Sequence, residues 1–402
     1  MTLAAVHEWG TFTSVSGSDG EILIGMHHEE EALPDFVHRR LFKCPVGDKC
    51  GGLETVLAGV NQKLETPVLY LYGNAGAKVS VRVDFPKGIV SEWFPNCSSF
   101  GPDTFSASGQ PTPARNGFMR WDIELIAEAN DIPAVPLDNI WAPSRYVSST
   151  PLRAWPWEFG PNEEDPGGWR GSEGSTEQER FIFYRGVGQF NVPFRVTASP
   201  KDVLVLSNDS AFDIPAAFVV RSAASGGGRL LAVGPIPARS KVKSVAPARG
   251  DLDPDFLDVA PSAIQAELVA SGLYPDEAWA MVDTWTRSYF LHEGLRVLYV
   301  APREWADELL PIVIEPQPLE LVRTFVGRVE VITPYDEMEL TERVAQLETT
   351  TETAHWLQAE LGRFAEPKLR RACELMEMEQ RAPFWICDYI DVFFSEEPLF
   401  TP

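Results

Sequence analysis

The stretch Thr66–Phe85, TPVLYLYGNAGAKVSVRVDF, decides the fold class of this chain. Val68 to Tyr72 is an apolar and aromatic run, and Gly73 to Gly76 carries a turn signal. Beyond the turn, Val79, Val81, Val83 and Phe85 alternate with Ser80, Arg82 and Asp84. A period of two places one set of side chains on one face of a strand, so this face points inward. Pro86-Lys87-Gly88 supplies the next turn.

The same rhythm extends in both directions. His7 to Thr13 and Arg115 to Leu125 read as strands, with a Ser-, Gly- and Pro-rich loop expected from Asn96 to Pro113. Short strands recur at Phe181–Arg185, Val203–Asn208, Phe218–Arg221, Leu230–Val233 and Lys241–Val245, separated by turn clusters such as Gly226-Gly227-Gly228. Between these β regions, residues 131–178 crowd prolines with Trp141, Trp155, Trp157 and Trp169, which precludes long regular elements. The acidic stretch Asn162–Glu179 reads as a loop.

Helices arrive late. Ser262 with Gln265 matches a capping box, and Gly272 reads as a stop. Pro275 opens a second helix whose face carries Ala278, Met281, Val282, Trp285 and Tyr289. Leu295–Val300 and Arg323–Ile332 return to strand, and Thr333-Pro334 starts a terminal helical region. The expected class is α+β. It is mainly β, with sandwich-like sheets, a helical hairpin insertion and a C-terminal helical domain. The expected divisions are 1–130 (β-rich), 131–178 (irregular), 179–250 (sandwich-like), 251–333 (hairpin and returning strands) and 334–402 (helical).

Composition narrows the function classes. A net charge of −24 over 402 residues argues against nucleic acid and against anionic membrane, because both need clustered Lys and Arg. Met1 to His7 lacks a signal-peptide pattern, no apolar window is long enough to span a bilayer, and the five cysteines include no C-x-x-C pair. A cytoplasmic location is the expectation.

Three His-Glu steps, His7-Glu8, His28-Glu29 and His292-Glu293, raise a metal site as one possibility. No H-E-x-x-H pentad is present, and adjacent residues of a strand point to opposite faces, so no metal ligand set is expected. There is no G-x-S-x-G elbow and no Walker A loop, and Gly186-Val187-Gly188 leads to Pro193 rather than into a helix. No catalytic residue and no cofactor is therefore assigned. The residue types left over are those of recognition surfaces. Twelve tryptophans are present, and Arg115, Arg120, Arg145, Arg153, Arg180 and Arg185 lie mostly among them. The candidate peptide-binding residues are Arg115, Arg120, Trp121, Tyr184 and Arg185, where an extended peptide could add as a strand and an arginine catch its carboxylate. The simpler reading of any one of the tryptophans is a core residue.

The block His7-Glu8-Trp9-Gly10-Thr11-Phe12-Thr13-Ser14-Val15 resembles the opening of a bacterial family. Similar blocks follow at Glu65–Tyr72, Ala114–Trp121, Phe181–Gly186, Gly272–Ala278 and Glu293–Tyr299, while Met26–Glu31 is more polar than the family pattern. The resemblance is to peptide-binding proteins of crocagin-type ribosomal peptide natural-product (RiPP) biosynthesis. It implies a non-catalytic protein that holds a precursor peptide beside a modifying enzyme while the peptide is cyclised. Two other readings stand next to it: a metal-dependent hydrolase or cyclase built on His7 and Glu8, and a scaffold that assembles enzymes through residues 334–402.

Overall fold

The computed structural model describes residues 3–26, 33–40, 59–103, 113–155, 176–223, 226–346 and 361–379. The first part of the chain forms β1 (Leu3–Ser16), β2 (His38–Arg39), β3 (Gln62–Gly73), β4 (Lys78–Phe85), β5 (Gly88–Phe94), β6 (Ser99–Gly101) and β7 (Gly117–Leu125). The middle adds β8 (Leu152–Ala154), β9 (Glu177–Glu179), β10 (Ile182–Gly188), β11 (Phe194–Ala198), β12 (Val203–Asn208), β13 (Ala217–Ser222), β14 (Gly228–Ala232) and β15 (Ser240–Val245). Helices α1 (Phe256–Ala270) and α2 (Pro275–Thr284) follow, and a π-helical turn at Thr286–Leu291 leads into β16 (Gly294–Val300). The remainder is α3 (Arg303–Leu309), β17 (Ile312–Glu315), β18 (Glu320–Val331), α4 (Pro334–Ala345) and α5 (Ala365–Met378).

The protein is mixed α/β, mainly strand, and sandwich-like. A nine-stranded sheet runs in the order β14-β13-β16-β18-β1-β3-β10-β5-β2. One of its faces packs on a six-stranded sheet, β17-β4-β7-β8-β9 with β6 beside β7, and on a three-stranded sheet, β11-β12-β15. The alternation read from the sequence fills this interface: Val79, Val81, Val83 and Phe85 of β4 are buried with Val6, Phe12, Leu69 and Leu71 of the large sheet. The other face carries Trp9, Val68, Tyr70, Phe181, Phe218 and Val220 and is covered by Phe256 and Ile264 of α1, Met281 of α2, and Trp285.

β1 lies between β18, to which it is parallel, and β3, to which it is antiparallel. A strand in that position has no solvated face, and every residue of β1 except Ala4 is buried. Gly10 and Gly327 show how tightly the layers close. A Cβ on Gly327 would lie 2.0 Å from Cζ of Tyr299, its cross-strand partner, whose ring covers the glycine.

Three local expectations differ from the structure. Ser262 does not cap a helix; it lies inside α1, where its hydroxyl donates to the Asp258 carbonyl. The helix starts earlier because Phe256, Ala260, Ile264 and Leu268, spaced by four, all bury against the sheet, and that burial outweighs a local cap signal. The loop expected at Asn96–Pro113 contains β6, which pairs with β7; residues 104–112 lie outside the described residues. Residues 162–175 of the acidic stretch also lie outside them, and its end, Glu177–Glu179, is not loop but β9, paired with β8.

At one end of the large sheet the helix-facing side turns polar. Glu65 accepts hydrogen bonds from Thr13 at 2.8 Å and Tyr289 at 2.9 Å, and it pairs with Arg363. Glu330 accepts from Arg296 at 2.7 Å and from the Arg328 Nε at 2.9 Å. Burial alone would raise both carboxyls, but the adjacent arginines overcome it and hold each at about 2.

Two outcomes follow from these contacts. A carboxyl held below its unfolded value adds stability above about pH 4.5, and that stability is lost as pH falls towards 2. Each shift is worth on the order of 3 kcal/mol. Urea unfolding from pH 7 to pH 2 should therefore show a steep loss in the parent, while Glu65→Gln starts less stable and falls less steeply over that window. Gly327→Ala should lower the unfolding free energy by about 1–3 kcal/mol or more, read from the denaturation midpoint, because Tyr299 fills the space a methyl would need.

Candidate ligand-binding cleft

The cleft is built where β13, β16 and β18 reach the same rim. Ser222 pairs with Gly294, and Arg296 with Glu330. Directly after β18, Thr333 caps α4 by accepting from the Asp336 N–H, while Asp336 Oδ2 accepts the Thr333 N–H at 2.9 Å. This reciprocal cap turns α4 across the rim, and α5 closes the other side. The result is a cleft of about 380 Å³ lined by residues that include Arg221, Arg249, His292, Asp336, Arg343 and Lys368.

Glu330, which lines it, pairs with the buried Arg296, and Arg296 also donates to Ser222 Oγ at 2.9 Å and to the His292 carbonyl at 2.8 Å. Gly294 adopts φ +154°, and a Cβ there would lie 3.0 Å from Arg296 Nη2 and 3.1 Å from Glu330 Oε2. A side chain at this position would press on the Arg296–Glu330 pair. In the wall, Arg249 pairs with Asp336 and its guanidinium lies 4.8 Å over the Tyr335 ring. Arg221 is buried, and its Nε donates to the Pro247 carbonyl at 2.5 Å. Burial, then repulsion from Arg249, lowers the Arg221 pKa from its ordinary value. Lys368 is lowered in the same way, by burial first, against the opposing pull of Glu330 and Asp336. Chemically, the cleft offers cationic donors from Arg221, Arg249 and Lys368.

A second buried constellation surrounds His7. Its Nδ1 lies 2.8 Å from Glu277 Oε2, and both side chains are fully buried. Glu277 also accepts from Tyr72 Oη at 2.6 Å and from the Tyr274 N–H at 2.7 Å. A carboxylate accepting from both oxygens places the proton on Nδ1 of His7. Nε2 of His7 is buried without a hydrogen-bond partner among the described residues, and the Tyr274 ring lies tilted against the imidazole with centroids 4.4 Å apart. Burial, followed by the Glu277 charge, raises the Tyr72 hydroxyl. Glu8 faces the opposite way. It accepts from Arg323 Nε at 2.6 Å and from Tyr184 Oη. His7 and Glu8 therefore cannot ligate one ion, and among the described residues no three His, Cys, Asp or Glu side chains gather around a metal-sized point.

The five peptide-binding candidates fall in different places. Arg115 is exposed in the turn before β7. Arg120 is exposed on β7 and is held by Asp122 at 2.9 Å. Trp121, one residue on, points the other way into the core, where its Nε1 donates to the Pro95 carbonyl at 3.0 Å. Tyr184 shares that core, with ring centroids 5.9 Å apart. Arg185 is buried on the opposite face of the large sheet beside Glu92 at 3.3 Å. Trp121, Tyr184 and Arg185 are enclosed, so the five do not line one surface. The cleft cations come instead from strand ends and late helices, and nothing in the spacing of Arg221, Arg249 and Lys368 signals that they converge.

No helix among the described residues is long and apolar enough to cross a membrane. No family model matches the chain, and no curated protein matches it. Among solved structures, the chain is similar to a yeast delta-COP-I mu-homology domain complexed with a Dsl1 WxWxV peptide, at 7% identity, with a TM-score of 0.26 over 81% of this chain and 97% of that one. A second structure of a yeast delta-COP-I mu-homology domain gives 8% identity, a TM-score of 0.27 and the same coverage. Likeness at this level transfers neither fold nor function.

Proposed function

We propose that this chain is a non-catalytic peptide-binding protein that holds an extended ribosomal precursor peptide against the edge of β14 while a separate enzyme modifies it. The observation that carries this reading is the hydrogen-bonding state of that edge. β14 ends the nine-stranded sheet, and the N–H of Val233, just beyond it, bonds inward to Ala217. Alternation then directs the N–H and C=O of Gly228, Leu230 and Ala232 outward. Gly228 already uses its outward pair: it exchanges hydrogen bonds with Asp253, and the Asp253 N–H reaches its carbonyl at 2.7 Å. The outward groups of Leu230 and Ala232 bond to no described residue, and Leu230 and Leu231 are half-buried beside them.

Such an edge accepts another strand through main-chain hydrogen bonds, with side chains alternating between the two faces. An ordered, extended peptide would also reach a cyclising geometry at a lower entropy cost, an effect that needs no nucleophile in the binding protein. The blocks similar to peptide-binding proteins of RiPP pathways support the identity of the ligand as a precursor peptide. The competing hydrolase reading requires His7 and Glu8 to act together, and they sit on opposite faces of β1 with separate partners.

Replacing Ala232 by proline tests the edge selectively, because it removes an outward N–H while the ladder to β13 is untouched. In calorimetric titration with the short peptide encoded beside its gene, the parent should bind at micromolar concentration or below and leave the peptide mass unchanged. Ala232→Pro should bind about tenfold or more weakly with an unfolding free energy within about 0.5 kcal/mol of the parent. No binding by the parent at about 1 mM peptide would sink the proposal. A changed peptide mass would replace it with an enzymatic one.

A further inference from the structure

About four main-chain hydrogen bonds at about 1 kcal/mol each correspond to millimolar affinity, so the β14 edge alone is a weak site. The cleft lies next to that edge. Leu252 lines it, the neighbouring Asp253 occupies the first outward position of β14, and Ser222, which pairs with Gly228, forms part of its rim. At about 380 Å³ it falls near the lower end of the range for small-ligand pockets, enough for a chain end and too little for a chain to run through.

Its lining sets four cations (Arg221, Arg249, Arg343 and Lys368) against four carboxylates (Glu293, Glu330, Asp336 and Glu339), so it is balanced where the whole protein carries −24. Glu330 and Asp336 are the acidic groups of its interior, and each is already engaged: Glu330 by both Arg296 and Arg328, Asp336 by Arg249. Two further cations, Arg221 and Lys368, line the same space with no carboxylate of a described residue within ion-pair distance. Among the described residues, the Arg221 side chain makes one hydrogen bond, from Nε to a carbonyl, and its terminal nitrogens make none. Lys368 forms no hydrogen bond or ion pair with any described residue, and its ammonium lies 5.8 Å over the Phe364 ring. Desolvated cations are unfavourable when unpaired, and a charge-assisted bond to an anion removes that penalty.

We propose that this cleft is a carboxylate site that receives the free C-terminus of the bound peptide, with Lys368 and Arg221 as the donors. The assignment rests on the peptide-binding reading and adds the end of the ligand that is recognised. A terminal carboxylate fits better than a phosphate group because the interior already holds two carboxylates, and a dianion would be repelled more strongly than a monoanion by Glu330 and Asp336. Outside the cleft, the net charge of −24 disfavours the same carboxylate, which would set the direction in which the peptide lies.

The test uses the full chain and the gene-adjacent peptide synthesised as free acid and as C-terminal carboxamide, with succinate as a third titrant. The acid should bind about tenfold or more tightly than the amide. Lys368→Gln should erase that difference without shifting the thermal midpoint, and Arg221→Gln should reduce it, provided the second variant remains folded. Equal binding of acid and amide by the parent overturns the carboxylate assignment and leaves the peptide reading intact. Binding of neither peptide overturns the peptide reading itself. Lys368-dependent binding of succinate alone, with acid and amide peptides equal, assigns the cleft to a small free acid and overturns the terminus.

Discussion

The placement of β1 constrains everything around it. It is paired along its length with β18 on one side and β3 on the other, with a sandwich core against one face and helices against the other. Apart from Ala4, no side chain of β1 turns to water. Burying a polar group without a partner is costly, so most of its polar side chains are met by one, Thr11 Oγ1 being without any among the described residues. This explains the composition of His7–Val15 without reference to catalysis. His7 is fixed by Glu277, Glu8 by Arg323 and Tyr184, and Thr13 by Glu65, each partner arriving from a distant part of the chain. The block that looks most like an active site is the centre of a polar lattice joining the sheet to both its covers.

That lattice accounts for the arginines as well. Arg296, Arg323 and Arg328 are fully buried or nearly so, and each has a carboxylate within ion-pair distance. Buried pairs of this kind return little net stability compared with apolar residues of similar volume, yet breaking one leaves a charge uncompensated at a cost of about 3–5 kcal/mol. The chain therefore combines an acidic composition with buried arginines that are matched by buried glutamates.

Legibility followed the same physics. Strands with one inward face were plain: the alternation in Val79–Phe85 gives β4, and Val203–Asn208 is β12 as read. Helix α2 begins at Pro275, and α4 begins after the Thr333 cap, because local chemistry and burial agree there. At Ser262 they disagree, and burial of Phe256 and Ala260 determines where the helix starts. Arg120 and Trp121 show the limit for sites. Their types suit an interface, but one residue of spacing on a strand sends the indole inward and the guanidinium outward, and the pattern alone does not say which face meets solvent. The sequence carries no mark for the cleft because its residues are brought together only by strand ends and a helix cap.

Among so many paired charges, the unpaired ones carry the information. A fold that provides a carboxylate for Arg296, Arg323, Arg328, Arg363 and Arg371 has the means to neutralise a buried cation. Arg221 and Lys368 share a cleft with two carboxylates that are committed to other arginines. Stability would be served by moving Glu339 or Glu293, both on the cleft wall, into contact with them, since an ion pair relieves desolvation. Those carboxylates stay exposed. An incoming carboxylate would supply the pairing that Arg296, Arg323, Arg328, Arg363 and Arg371 already have. An edge strand that lies beside such a site then has an end as well as a direction, which is what distinguishes a peptide-binding edge from one merely left uncovered.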